Sequence, residues 1–378
     1  MKPIYLDYNA TTPVDPEVAE AMKPYLLEHF GNPSSSHWYG IQTKKAVEKA
    51  RRQVAKLLHC NTHEVVFTSG GSESNNYAIK GAALLSRPRG NHIITSAIEH
   101  PAVIEVCRYL QAKDFQVTYL PVDQYGLVDP EQLERAITAQ SILITIMHAN
   151  NEVGTIQPVA EIARIARKHG IVFHTDAAQS VGKIPTRVDE LGVHLLSVAG
   201  HKLYGPKGIG ALYIQRGVRL EKLIHGADHE QNLRAGTENV LEIVGLGKAC
   251  EIAGRNLEKN MFHMKKMRDL LYEGLQKHWP EIKLNGHPEK RLPNTLSLSF
   301  RGIEANTLLS EAEEVAASAG AACHSDSVDV SRVLAAMHLP LENAMGTVRF
   351  SVGKMTTEDE IRRAVDIVGQ TAKRLQPV

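Results

Sequence analysis

The sequence has little net charge: 43 Lys and Arg oppose 42 Asp and Glu, leaving +1 over 378 residues. No basic surplus draws the chain to nucleic acid or to an anionic membrane. No apolar run is long enough to span a bilayer, and the opening MKPIYLDYNATT has no apolar stretch of signal-peptide length. The expectation is a cytoplasmic protein with no direct nucleic-acid or membrane partner. Cysteine is scarce as well. Cys60, Cys107, Cys250 and Cys323 lie far apart and form no C-x-x-C pair, and a reducing cytosol would keep such thiols free. Internal repeats, low-complexity tracts and long linkers are missing too.

Apolar residues make up 43% and charged residues 22% of the chain, values expected of a globular protein. The length suits one large domain with a smaller one attached. Short apolar runs alternate with helix-like stretches through the first two thirds. The runs are VVFTS near Val65, HIITS near Ile93, VTYLPV near Val117, ILITIM near Ile142, IVFHT near Val172, LLSVA near Leu195 and ALYI near Leu212. Helix patterns such as EQLERAITA and PVAEIARIARKHG separate them, the second opened by Pro158 and closed by Gly170. Buried strands alternating with helices predict an α/β fold with a mostly parallel sheet. After about Lys248 a long charged helix pattern precedes the strand-like NTLSLSF, a Cys-bearing segment and further helix patterns. The expected division is a large domain over 15–255 and a smaller α+β domain made of 1–14 and 256–378. The N-terminal segment is expected to pack with the smaller domain or to cross the active site. Ligands of open parallel sheets sit beyond the carboxyl ends of the strands, so the chemistry is sought there.

Five segments carry candidate chemistry. In TSGGSESNN a strand runs into Gly70-Gly71 and a helix is expected from Ser72. A glycine-flanked helix start suits a phosphate, although an ordinary capping box from Ser72 to Asn75 or Asn76 reads the same way. In HTDAAQSVGK, Asp176 and Gln179 follow a buried strand. A carboxylate there can hold a protonated heterocyclic nitrogen, or it can be a plain helix cap. In SVAGHKLYGPKGIGALYI, Lys202 stands at the mouth of the sheet, where partial burial beside other cations lowers a lysine pKa and permits a Schiff base. A solvated loop lysine is the plainer alternative. In SAGAACHSDS, small and polar residues surround Cys323, the composition of a mobile loop that can expose a reactive thiol or an idle one. In AIEHPAV, His100 lies at another strand end, placed to stack on a flat cofactor or to move protons. Cys107 and Cys250 lie in apolar or helical stretches and read as inert buried thiols, as does Cys60 with less support.

Taken in order along almost the whole chain, these segments resemble the NifS/IscS-type cysteine desulfurases of the class V aminotransferase group. YLDYNATTPVDPEV, FGNPSSSH, HANNEVGTIQP, RAGTENV and VRFSVGKMTTEDEI add to the resemblance. It implies the pyridoxal 5'-phosphate (PLP)-dependent transferase fold of the aspartate aminotransferase type. It also implies a set of roles. Lys202 would bond PLP, Asp176 would pair with the pyridine nitrogen and Gln179 with the ring hydroxyl. His100 would stack on the ring, and Gly71, Ser72 and His201 would hold the phosphate. Thr237 would reach the phosphate of the other subunit's cofactor, implying a homodimer. Arg349 would clamp the substrate carboxylate, with Asn151 and Asn32 beside it. L-cysteine would yield alanine and a persulfide on Cys323, to be passed to an acceptor protein or small thiol.

Some positions depart from the family pattern. Ala199 stands where the housekeeping enzymes usually have Ser, which implies somewhat weaker PLP retention. HGADHEQNL replaces the usual glycine-rich run, and the chain closes at Gln376-Pro377-Val378, leaving a scaffold partner in doubt. GAACHSD also resembles selenocysteine lyases and the desulfurases of DNA phosphorothioation. Selenocysteine lyase is therefore the nearest alternative. An aminotransferase of the same fold and a non-catalytic sulfur carrier stand further off. No metal is expected.

Overall fold

The structure is a computed structural model that describes residues 3–324 and 327–376, with 321–324 and 327–329 described in backbone only. The chain first forms β1 (Ile4–Tyr5). Seven strands then build the main sheet: β2 (Val65–Thr68), β3 (His92–Ser96), β4 (Gln116–Leu120), β5 (Ser141–Thr145), β6 (Val172–Asp176), β7 (Leu195–Ala199) and β8 (Gly210–Ile214). Their order is β2-β8-β7-β6-β5-β3-β4, and the ladders from β4 through β7 are parallel while β8 runs against both its neighbours. The mostly parallel sheet expected from the sequence is present. β3, β5 and β7 are buried along their whole length, as strands covered by helices on both faces must be. The edge strand β4 carries Gln116 and Thr118 and is only partly buried.

The helix after β5 spans Val159–Lys168, with Pro158 at its N-cap. Gly170 has φ +63, a left-handed closure that suits glycine. The first residue of β8 needs to be glycine for a steric reason. A Cβ on Gly210 would lie 2.4 Å from the Val198 carbonyl oxygen and 2.7 Å from the Gly70 Cα. No side chain fits where these backbones converge.

The second sheet has the order β12-β15-β10-β9, from β9 (Lys283–Asn285), β10 (Thr295–Ser299), β12 (Ser318–Ala319) and β15 (Thr347–Ser351). β1 pairs in parallel with β11 (Val315–Ala316), so the N-terminus joins this layer. Helix Val240–His278 ties the layers together. Its Ile243, Leu246 and Ile252 pack in the core of the main sheet, while Met264, Leu271 and Leu275 pack with Ile4, Leu298 and Phe350. Residue 255 lies inside this helix, which continues without a break past the position where the sequence pattern changes.

The segment expected to be unusual has a left-handed run: Glu230, Gln231 and Asn232 have φ of 47°, 58° and 64°. The buried Glu230 carboxylate holds it in place. It accepts from Arg51 Nη1 and Nη2, each at 2.7 Å, and from the Phe67 N–H at 2.7 Å. Cys323 differs from expectation. Its backbone belongs to a hairpin, β13 (Ala321–His324) against β14 (Ser327–Val330), rather than to an irregular loop.

Two buried histidines stitch the sheet. His174 Nδ1 meets Thr145 Oγ1 at 2.8 Å, and its Nε2 meets Ser197 Oγ at 2.9 Å. His148 Nδ1 meets Ser180 Oγ at 2.9 Å. Burial lowers their pKa values to about 3 and about 4. On unfolding, both rings return to about 6.5, so the unfolded chain takes up protons that the folded chain refuses. Stability contributed by neutral His174 is complete above pH 6.5 and is lost as the pH falls toward 3. Chemical denaturation at pH 7 and pH 5 should show His174→Asn losing about 2 kcal/mol less than wild type over that interval. An equal loss in both proteins would contradict a buried neutral imidazole.

Candidate active site

The carboxyl ends of β2, β3, β5, β6 and β7 open on one cavity of about 340 Å³, which Arg349 of β15 and the N-terminal Asn9 and Ala10 close from the other side. Gly71, Ser72, His100, Asn151, Asp176, Gln179, Ala199, His201, Lys202 and Arg349 all line it. The sequence names each of these residues, and the fold brings them together from segments as far apart as 71 and 349. The N-terminal segment does cross the site.

Lys202 sits just past β7, in the turn Gly200–Lys202. Its Nζ donates to the carbonyls of Asn9 at 2.6 Å and Ala10 at 2.7 Å. Burial, and then the charge of Arg349, lower its pKa to about 8, against the opposing pull of Asp176 and Asp7. A large share of the amine is therefore neutral near pH 8, as a nucleophilic lysine requires.

Asp176 ends β6 and is buried. Its Oδ2 accepts from Asn75 Nδ2 at 2.7 Å, and its Oδ1 accepts from the Ala178 N–H at 2.9 Å. The sequence left open a capping box from Ser72 to Asn75 or Asn76. The helix instead starts at Gly71 with Gly70 as its N-cap and no side-chain cap bond, which leaves Asn75 to hold Asp176. Gln179 Nε2 donates to the Asn9 carbonyl at 2.9 Å. Its Oε1 accepts from Lys183 Nζ at 2.7 Å, and Lys183 also donates to Asn9 Oδ1 at 3.1 Å. Lys183 is buried with no carboxylate partner among the described residues. Burial first, and the charges of Lys202 and Arg349 after it, push its pKa well below the ordinary value.

His100 caps helix Pro101–Gln111, and its Nδ1 accepts from the Ala102 N–H at 3.1 Å. The neutral ring therefore carries its proton on Nε2. Its pKa is lowered mainly by burial, with Asp176 opposing and Lys202 and Arg332 assisting. His201 meets Thr11 Oγ1 at 3.2 Å, and burial followed by nearby lysines lowers its pKa to about 4. Behind His100, the buried Glu99 accepts from Ser96 Oγ and the Met147 N–H, and burial raises its carboxyl to about 8.

Arg349 binds Asp7 Oδ1 at 2.7 Å through Nη2, Ser318 Oγ at 2.8 Å and the Asn151 carbonyl at 3.2 Å. Its Nε is buried and has no partner among the described residues. This orphaned donor suits an incoming carboxylate.

Asn32 and Thr237 do not line this cavity. Asn32 is exposed and its Oδ1 accepts from the Ser34 N–H at 2.9 Å, while Thr237 is exposed after the left-handed run. The Cys323 side chain lies outside the described residues. The other thiols are poor nucleophiles, since burial pushes Cys60, Cys107 and Cys250 each up to about 12.

The donor set fits PLP. The uncapped helix start at Gly71 offers N–H groups that have no partner within the helix. A Cβ on Gly71 would come within 3.3 Å of the Ala199 Cβ, so glycine keeps that space open. Asp176 and Lys202 supply the carboxylate and the amine.

A reactive lysine and a buried aspartate at adjacent parallel strand ends, facing a helix start, define a PLP-dependent transferase. The chain belongs to the aminotransferase class-V family, whose model matches residues 4–364. It is 48% identical over 377 residues to the cysteine desulfurase IscS of Dictyoglomus turgidum, a match covering 99% of this chain and 96% of that protein. The solved structure of a NifS-like protein superposes with a TM-score of 0.92 at 40% identity, covering 97% of this chain and 98% of that one. A structure described as SspA in complex with cysteine gives 0.82 at 37% identity, covering 94% of this chain and 100% of that one.

An amine captures an aldehyde only in its deprotonated form, and Lys202 is the amine in this cavity whose pKa is lowered to about 8. Covalent capture of PLP by apoprotein, followed by absorbance, should therefore speed up as the pH rises and level off above about 8. A rate still climbing with an inflection near the ordinary lysine pKa would contradict the lowered value.

Proposed function

We propose that this chain is a PLP-dependent cysteine desulfurase that converts L-cysteine to L-alanine and leaves a persulfide on Cys323. The observation that carries this is the single cavity holding the Lys202 amine, the Asp176 carboxylate and the Arg349 guanidinium with its unpartnered Nε. The relatives named cysteine desulfurase favour cysteine over selenocysteine as the substrate.

Lys202 would bond PLP, Gly71, Ser72 and His201 would hold its phosphate, Asp176 its ring nitrogen and Gln179 its ring oxygen. When bound, PLP supplies an electron sink that acidifies the substrate Cα–H. Arg349 binds the substrate carboxylate, with Asn151 beside it. Lys202 moves the proton at Cα, and His100 lines the same cavity. The Cys323 thiolate then attacks the substrate sulfur. The new S–S bond takes the sulfur, the C–S electron pair stays on the substrate β-carbon, and a proton completes alanine. The reaction balances without an external oxidant. An acceptor protein or small thiol then removes the sulfane sulfur by exchange.

We place the enzyme in the cytoplasm as a homodimer. Leu26, Leu27, Phe30 and Trp38 are large apolar side chains left exposed within a short stretch of chain, the kind of surface a second copy covers. Thr237 is exposed and away from its own cavity, as a residue serving the partner's cofactor would be. Asn32 is assigned to the substrate side of the assembled enzyme. Iron–sulfur assembly is one use of the sulfur.

Alanine release from L-cysteine and from L-selenocysteine tests the assignment. Wild type should use cysteine, and Cys323→Ala should lose that activity by orders of magnitude while still binding cofactor. Undiminished desulfuration by the variant would overturn the role of Cys323. At Ala199, restoring a hydroxyl with Ala199→Ser should tighten PLP retention by about 1 kcal/mol, the net worth of one hydrogen bond. Unchanged dissociation of the cofactor would show that position 199 does not reach it.

A further inference from the structure

The hairpin that carries Cys323 joins the fold through two roots, and both are tied to groups at the substrate side of the cavity. The first root is β12. Ser318 pairs with Arg349 in the ladder, accepts from its Nη2 at 2.8 Å and donates to Asp7 Oδ1 at 3.0 Å. The second root is Ser331, whose hydroxyl donates to the Glu152 carboxylate. Glu152 directly follows Asn151, whose carbonyl accepts from Arg349 Nη1.

The two roots are also closed on each other. The Ser331 N–H donates to the Gly320 carbonyl at 3.0 Å, and the Gly320 N–H donates to the Thr347 carbonyl at 2.7 Å. The neck is tightly packed, since a Cβ on Gly320 would meet Leu334 Cδ1 at 2.9 Å and Thr347 Cγ2 at 3.0 Å. The loop bearing Glu152 is equally fixed. The Glu152 and Val153 N–H groups both donate to Asn150 Oδ1, while Asn150 Nδ2 donates to the Ile98 carbonyl. Cys323 lies only three residues beyond Gly320, about 10 Å of extended strand. A shift at the neck is therefore carried to the backbone of residue 323.

We propose that Glu152 is a positioning residue for sulfur transfer, holding Ser331 and with it the Cys323 hairpin in register with the Arg349 carboxylate clamp. This rests on Cys323 being the sulfur acceptor. Glu152 does not line the cavity that holds Lys202 and Asp176, and it acts through the hairpin root. Ser331 has a second role as N-cap of helix Arg332–Ala336, accepting from the Val333 N–H at 3.1 Å. Tests at this position must keep the cap while changing the contact with Glu152. Aspartate does so, because it caps a helix well and repels a carboxylate.

The test uses holoenzyme in a single turnover, measuring L-cysteine binding from the cofactor spectrum and persulfide on Cys323 by mass spectrometry. Glu152→Ala and Ser331→Asp should bind L-cysteine as wild type does but form the persulfide roughly 10- to 100-fold more slowly, the cost of a small misplacement. Glu152→Gln retains an acceptor for the Ser331 hydroxyl and should recover most of the rate. Transfer by Glu152→Ala at the wild-type rate, or parallel loss of binding and transfer, would overturn the assignment. The foundation is checked separately. If Cys323→Ala still releases alanine, the desulfurase mechanism itself fails. If that variant is inactive while Glu152→Ala is unimpaired, only the role of Glu152 fails.

Discussion

The site depends on the register between β6 and β7. Asp176 pairs with Ser197 in that ladder, and Lys202 follows five residues later, just beyond the strand end. His174 fixes the register from inside the sheet, reaching Thr145 on β5 and Ser197 on β7 with its two ring nitrogens. A slip of one residue would turn Asp176 to the opposite face of the sheet. The carboxylate and the amine thus meet the same cavity because a neutral, fully enclosed imidazole holds three strands in step.

The cavity's electrostatics follow from what the fold withholds. Lys202, Lys183 and Arg349 crowd together, and the ammonium of Lys202 is met by backbone carbonyls rather than by a carboxylate. Burial and like charge then move its pKa toward the working range of an enzyme. Asp7 is committed to Arg349 and Asp176 to Asn75. Neither carboxylate is left to neutralise the amine directly, yet each limits the positive potential. Lys183 sits behind Gln179 and directs its carboxamide, so the Gln179 N–H group faces the Asn9 carbonyl.

Most of the fold was legible in the sequence, because apolar strand runs and helix punctuation are local signals. Lys202, Asp176, Gln179 and His100 were legible because each stands at or within four residues of the carboxyl end of a buried strand, where parallel sheets hold their ligands. Asn75, Lys183 and Glu152 were not. Each is a single polar residue whose role appears only when distant segments meet, and Asn75 also sits where a capping box would place it. The Cys323 segment misled in another way. Its small residues read as an irregular loop, but the backbone pairs in a hairpin. The boundary near 255 rested on a change of charge pattern, and the helix passes through that change because its two halves serve different cores. Asn32 and Thr237 belong to the family pattern, but in a single chain they stand apart from the cavity.

The central claim is that sheet register aims the Asp176 carboxylate at the cofactor ring nitrogen. Nitrogen-15 NMR of protein loaded with PLP labelled at the pyridine nitrogen tests it directly. The account predicts a protonated nitrogen in wild type at neutral pH and an unprotonated one in Asp176→Asn. The same protonation state in both proteins would contradict it.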